Sequence, residues 1–117
     1  MEAATEGMRN GMILLLYPEG SRTRTGRMGS YIKGVHRYLS ALPEIRVVPM
    51  TITGTDRLMS VDDDERIVPS TVGVTFEAPL SVGENGTSRE VLIQVHQRIA
   101  QMLPEEHRPE SGTEPLA

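Results

Sequence analysis

The chain has 117 residues with three Tyr, one Phe, no Trp and no Cys, and its net charge is −4. This length fits one modest domain, and the absence of cysteine excludes a disulfide framework, a thiolate nucleophile and a cysteine-ligated zinc site. The longest apolar run, Met12 to Leu16, is far shorter than the roughly twenty residues that a membrane-spanning helix needs.

The first part of the chain predicts a helix, a buried strand, a loop and a second helix. Residues 2–10 predict a short helix that ends at Gly11, because Asn-Gly commonly ends a helix through a left-handed residue. Met12 to Leu16 is typical of a strand buried on both faces. A glycine-rich loop follows, and apolar residues at helical spacing predict a helix over 31–42 that stops before Pro43.

Two further strands are predicted in the second part of the chain. Val47 to Thr53 is mostly β-branched and apolar, although Pro49 within it belongs at a sheet edge, a bulge or a strand start. Residues 54–69 predict a long loop, whose acidic run at 62–65 indicates a solvated surface. Thr71 to Phe76 is again β-branched and predicts a third strand.

The last helix has the clearest sequence signal. Thr87 and Glu90 form a capping box, and the apolar residues that follow trace one helix face until Pro104. We place His96 away from that apolar face, in solvent. Residues 104–117 are polar and rich in Pro, Glu and Gly, which predicts a disordered tail.

These elements predict an α/β fold with a partial mixed or mostly parallel sheet and packing helices. Three strands and two strong helices are few, and strands buried on both faces need a layer on each side. We therefore interpret residues 1–103 as part of a larger domain, followed by the tail at 104–117. An open sheet edge in such a part favours dimerisation.

Positive charge is concentrated between Tyr17 and Arg37, where five basic residues and one acid give +4 and leave −8 for the rest of the chain. This local charge favours one small anion over nucleic acid. A phosphate monoester is bound by planar arginine guanidinium groups and by backbone N–H groups that glycine turns expose. The loop after Glu19 offers both, although a plain solvated loop is the alternative.

We expect Glu19 to pair with an arginine or hold an acceptor hydroxyl, and Gly34 to pack closely on this loop. The glycine spacing is not that of a Walker nucleotide loop.

Two stretches of the sequence match motifs of a known enzyme family. "YPEGSRTRTGRMGSYIKG", residues 17–34, is similar to the F-P-E-G-T-R-S-x-x-G block of the glycerolipid acyltransferases, the family that includes 1-acylglycerol-3-phosphate acyltransferase. "IRVVPMTITGTDRL", residues 45–58, is similar to its V-P-[IV]-[IV]-P-[VI] motif and the loop after it. The resemblance covers roughly residues 7–103 and implies the C-terminal half of an acyltransferase domain.

The resemblance also implies roles for individual residues. Arg24 and Lys33 become accessory phosphate contacts, and Val48 and Pro49 match the motif that the family uses for its acyl donor. Arg46 stands where a proline is usual. Four residues match the block that holds the phosphate of the acyl acceptor: Glu19, Gly20, Ser21 (for the usual threonine) and Arg22.

The family's catalytic block, H-x-x-x-x-D, has no match in this chain. The fifth residue after each of the three histidines is Ala41, Gln101 or Gly112. In the family that histidine is the general base on the acceptor hydroxyl. We therefore predict no catalytic residue, cofactor or metal in this chain, and no acyl transfer by the chain alone.

The resemblance implies the partners of the whole enzyme. They are an acyl-CoA or acyl-carrier-protein donor and a glycerol-phosphate or lysophospholipid acceptor, used in phospholipid biosynthesis. We expect a cytoplasmic enzyme that is peripheral to the membrane. Two alternatives stay open: a non-catalytic module that binds a phosphorylated headgroup or completes a partner's site, and a structural domain with a basic loop.

Overall fold

The computed structural model describes residues 2–20, 25–54 and 71–116. The predicted acidic loop, including residues 62–65, lies outside these ranges. The described part holds helices α1 (Glu2–Arg9), α2 (His36–Ala41) and α3 (Ser88–Met102), strands β1 (Arg46–Val47), β2 (Met50–Thr53), β3 (Gly73–Phe76) and β4 (Leu80–Ser81), and 3-10 helices at Lys33–Val35 and Glu105–His107.

Local sequence signals define the end of α1 and the start of α3. After α1, Gly11 has φ +90°, and the N–H groups of Gly11 and Met12 donate to the carbonyls of Met8 and Gly7. This is a Schellman motif, so the predicted end of the first helix is confirmed. At the start of α3 the Thr87 hydroxyl accepts from the Glu90 N–H at 3.2 Å, which confirms the predicted N-cap.

The strands form two separate two-stranded antiparallel sheets, β1 with β4 and β2 with β3. The α/β character is confirmed at this level. Among the described residues the one parallel pairing is the isolated bridge between Tyr31 and Leu116, so the expected mostly parallel sheet is not found there. The third predicted strand is confirmed as β3.

Pro49 divides the strand predicted over 47–53. The strand stops at Val47 and resumes at Met50, because proline has no N–H for a ladder. Each half pairs with a different partner strand. The proline itself is nearly fully buried, whereas Val48 is 47 % exposed.

The prediction of a buried strand at 12–16 is wrong. The structure assigns no strand there, and Ile13 is 96 % exposed. A strand needs a partner for its backbone groups, and none of the described strands pairs with this segment. These residues line one side of an open cleft instead.

The core is small and lies between α2, α3 and the loop that precedes α2. Its buried cluster consists of Met28, Tyr31, Leu39, Leu80, Val91, Leu92 and Val95. Two members, Met28 and Tyr31, come from the loop segment 25–31 rather than from a helix or strand. The motif is therefore continuous with a segment that is anchored in the core.

Residues 104–116, for which the sequence predicts disorder, lie against the loop segment 25–31. The carbonyl of His107 accepts from the Met28 N–H at 2.9 Å, and that of Pro115 accepts from the Tyr31 N–H at 2.8 Å. The Arg27 guanidinium donates to the Arg108 carbonyl at 3.1 Å. The domain boundary at residue 103 stays a prediction.

Candidate functional site

Two contacts close the base of the loop that carries the basic motif. The carboxylate Oε2 of Glu19 accepts from the Gly29 N–H at 3.1 Å. The carbonyl of Pro18 accepts from the Ile32 N–H at 2.8 Å. In the structure the Glu19 Oε2 joins the two ends of the loop; its expected pairing with an arginine or an acceptor hydroxyl stays a prediction, since Arg22 and Arg24 lie outside the described residues.

Gly20 begins the loop with a left-handed turn. Its φ is +80°, and its N–H donates to the Tyr17 carbonyl at 3.0 Å. A Cβ at this position would overlap the Cδ1 atom of Ile32. The glycine of the motif is therefore required here by both its backbone angle and its close contact.

His96 of α3 lies beneath the loop rather than in solvent, so that prediction is wrong. The side chain is 3 % exposed, and its Nε2–H donates to the Gly29 carbonyl at 3.0 Å. The Tyr31 ring meets the imidazole edge-on, with centroids 4.8 Å apart and planes at 72°. Gly29 is thus bonded on one side to Glu19 and on the other to His96.

Tyr31 is the most perturbed titratable group in the described part of the chain. Burial raises the pKa of its phenol, and the negative charge of Glu19 raises the pKa further. The ring is 1 % exposed. This tyrosine therefore stays neutral at physiological pH and serves as a packing surface between the loop and α3.

An apolar cleft of about 1080 Å³ opens beside the loop base. The exposed segment 12–16 lines one side, and residues 45–52, the first part of the second motif, line another. Both Val48 and Pro49 lie on its wall, as does Glu19. Two motifs that are distant in sequence therefore reach the same cleft.

Several predicted site residues fall outside the described part of the chain. These are Ser21, Arg22 and Arg24, and the side chain of Lys33. Gly34 was expected to pack on the loop; a Cβ built there meets no atom of the described residues within 4 Å, and since residues 21–24 lie outside them, close packing on the loop stays a prediction. Within the described ranges, no three acidic or histidine side chains converge as a metal site would require.

The sequence analysis missed Gly29, Tyr31 and His96 as parts of this site. Gly29 and Tyr31 lie inside the quoted motif 17–34, but no rule of composition distinguishes them from their neighbours. His96 had a usable signal, since it lies four residues after Leu92 and three before Ile99 on α3. That spacing places it beside the apolar face of the helix.

Comparison with known proteins finds relatives that share one enzyme name. The chain is 27 % identical over 104 residues to the chloroplastic 1-acyl-sn-glycerol-3-phosphate acyltransferase of Arabidopsis thaliana, and 28 % identical over 111 residues to the 1-acyl-sn-glycerol-3-phosphate acyltransferase of Cocos nucifera. These matches confirm the resemblance to the glycerolipid acyltransferases. A Chlamydomonas reinhardtii protein of the same name is 27 % identical over 99 residues.

The acyltransferase-like region extends over most of the chain but over a minor part of each relative. The matches cover 88, 92 and 85 % of this chain and 28, 35 and 29 % of the Arabidopsis, Cocos and Chlamydomonas proteins. No family model matches the chain, and no solved structure matches it significantly. None of the helices in the described ranges has the length and apolarity to cross a bilayer.

Proposed function

We propose that this chain carries the acceptor-phosphate part of a glycerolipid acyltransferase. The complete enzyme would transfer an acyl group from acyl-CoA or acyl-carrier protein to a hydroxyl of a glycerol phosphate or lysophospholipid. In that reaction the hydroxyl oxygen bonds to the thioester carbonyl carbon, the carbon–sulfur bond breaks, and a general base takes the hydroxyl proton. The two sequence motifs and the names of the relatives support this class of reaction.

The observation that carries the proposal is the meeting of both motifs at one cleft. Glu19, next to the basic loop, and Val48 and Pro49 of the second motif line the same apolar cavity. A phosphorylated lipid needs charged donors for its headgroup and an apolar wall for its chains. The loop at 19–22 would supply the donors and the cleft would supply the wall.

The proton-accepting base of this reaction has no candidate in the sequence of this chain. No histidine is followed by an aspartate at the fifth position, so we expect the purified chain to bind acceptor phosphate without transferring an acyl group. This favours, as a second candidate function, a headgroup-binding module that completes a partner's site. Turnover of an acyl thioester by the chain alone would contradict both statements.

A thermal melt with glycerol 3-phosphate tests the phosphate site. A ligand at about a hundred times its dissociation constant stabilises a folded protein by about 2.7 kcal/mol. We expect the melting temperature to rise, Arg22→Ala to remove the rise, and Arg89→Ala to leave it unchanged, since Arg89 is exposed at the start of α3. Equal shifts in both variants would refute the assignment of Arg22.

A further inference from the structure

We propose that His96 is a positioning residue for the phosphate loop, which it holds through the carbonyl of Gly29. The inference rests on the proposed function, in which residues 19–22 bind the acceptor phosphate. No motif of the acyltransferase resemblance includes His96. The support comes from how α3, Gly29 and Glu19 are joined in the structure.

Gly29 connects the base of the loop to α3 through two hydrogen bonds. Its N–H donates to Glu19, the first residue of the phosphate motif. Its carbonyl accepts from His96 Nε2–H. A shift of this glycine backbone therefore moves the Glu19 carboxylate, and with it the turn at Gly20. The influence of the histidine on the loop base passes through Gly29.

The helix that carries His96 is a rigid support. It is 15 residues long and capped by Thr87, and its buried residues Val91, Leu92 and Val95 belong to the core cluster. Because the imidazole is 3 % exposed, water does not readily replace its bond to the carbonyl. Loss of this donor leaves the part-buried carbonyl of Gly29 without its partner, which costs more than removing both partners together.

The Tyr31 ring fixes the orientation of the imidazole. Its edge-on contact restricts rotation of the histidine ring about χ2, so Nε2 keeps its direction toward Gly29. Since a carbonyl can only accept, the ring proton must be on Nε2. The loop base is thereby held in one arrangement before the ligand arrives, which lowers the ordering cost of binding.

A pair of amide substitutions in the full chain separates positioning from general stability. In His96→Gln the side-chain amide extends to the position of Nε2 and donates to Gly29, whereas the shorter amide of His96→Asn stops near Nδ1. Both variants bury a polar group of the same kind. Gln97→Leu, at the next and exposed position of α3, is the control for changes to the helix surface.

Amide NMR spectra without ligand give the first readout. We expect His96→Asn to shift and broaden the signals of Gly20, Gly29 and Ile32, and His96→Gln to keep them near those of the unmodified chain. The ring nitrogen chemical shifts of His96 in the unmodified chain should show a proton on Nε2. Absence of a proton on Nε2 would overturn the proposal even if a variant failed to fold, and loop signals that do not change in a folded His96→Asn variant would overturn it as well.

Titration with glycerol 3-phosphate, at a temperature where every variant is folded, gives the second readout. The asparagine variant should bind about two- to tenfold more weakly, as expected for the loss of one buried hydrogen bond. The glutamine variant and Gln97→Leu should bind normally. Weak binding by the glutamine and asparagine variants alike contradicts positioning by the donor. If the unmodified chain shows no saturable binding, the proposed function fails, while the ligand-free spectra still decide the role of His96.

Discussion

Replacing Gly20 by alanine tests whether the loop depends on the turn that the structure gives it. Gly20 has φ +80°, and a Cβ there overlaps Cδ1 of Ile32. A left-handed alanine costs about 1–2 kcal/mol. Ile32 is half-exposed, so its side chain can rotate away at a further cost of about 0.5–1.5 kcal/mol. We expect the free energy of unfolding to fall by about 1.5–3.5 kcal/mol in total.

Two further variants separate the backbone cost from the steric cost. Gly26 has the same φ of +80°, and an added Cβ there meets no atom of the described residues within 4 Å, so Gly26→Ala should show the backbone cost alone. Ile32→Val removes Cδ1, and on that background Gly20→Ala should cost no more than Gly26→Ala. Urea unfolding compares the unmodified chain with the three single variants and the Gly20→Ala, Ile32→Val double variant. If Gly20→Ala costs the same with isoleucine as with valine at position 32, the described contact is not formed.

The other predictions concern the cap of α3, the phenol of Tyr31 and the tail. Thr87→Ala removes the acceptor of the Glu90 N–H and should lower the free energy of unfolding by about 1 kcal/mol. Thr87→Ser keeps a hydroxyl acceptor and should therefore retain most of that stability. A serine variant as unstable as the alanine variant would contradict the cap. Because the pKa of Tyr31 is raised in the folded state, its contribution to stability is complete below the unfolded pKa of about 10 and declines at higher pH. The melting temperature should therefore drop more steeply above about pH 10 in the unmodified chain than in Tyr31→Phe, whereas parallel curves would refute the burial of the phenol. A chain that ends at Leu103 loses the carbonyls that accept from the Met28 and Tyr31 N–H groups and should melt at a lower temperature; an unchanged melt would support the disorder predicted from composition.

The helices were predictable because their signals are local. The ends of α1 and α3 depend on residues within one turn, namely Gly11 and the Thr87–Glu90 pair. Such motifs stabilise a helix end whatever the rest of the fold does. The start of the second helix was predicted too early, at residue 31. A 3-10 turn at Lys33–Val35 precedes α2, which begins at His36.

The strands were harder to predict because pairing depends on residues elsewhere in the chain. The apolar run at 12–16 looks like a strand from its composition, but hydrophobicity alone supplies no partner for its backbone groups. Conversely, Arg46 and Val47 form a strand through their pairing with Ser81 and Leu80. That pairing has no signature in either segment alone.

His96 shows that a site residue can be missed even where the helix that carries it is predicted correctly. With about 100° of rotation per residue, His96 is about 40° from Leu92 and about 20° from Leu103 around the axis of α3. It therefore borders the apolar face instead of opposing it. This side chain was expected to point away from the apolar face, into solvent, whereas its Nε2–H donates to the carbonyl of Gly29 inside the molecule.

During folding, the base of the basic loop can form only after it meets two distant parts of the chain, α3 and the tail. The bond from His96 to Gly29 joins residues 67 positions apart, and the bond from Arg27 to Arg108 joins residues 81 positions apart. Helices form from near neighbours, whereas contacts of long sequence separation must first overcome the entropy of closing the intervening chain. We therefore expect α3 to form before the base of the basic loop, because both bonds join residues that lie far apart in the sequence.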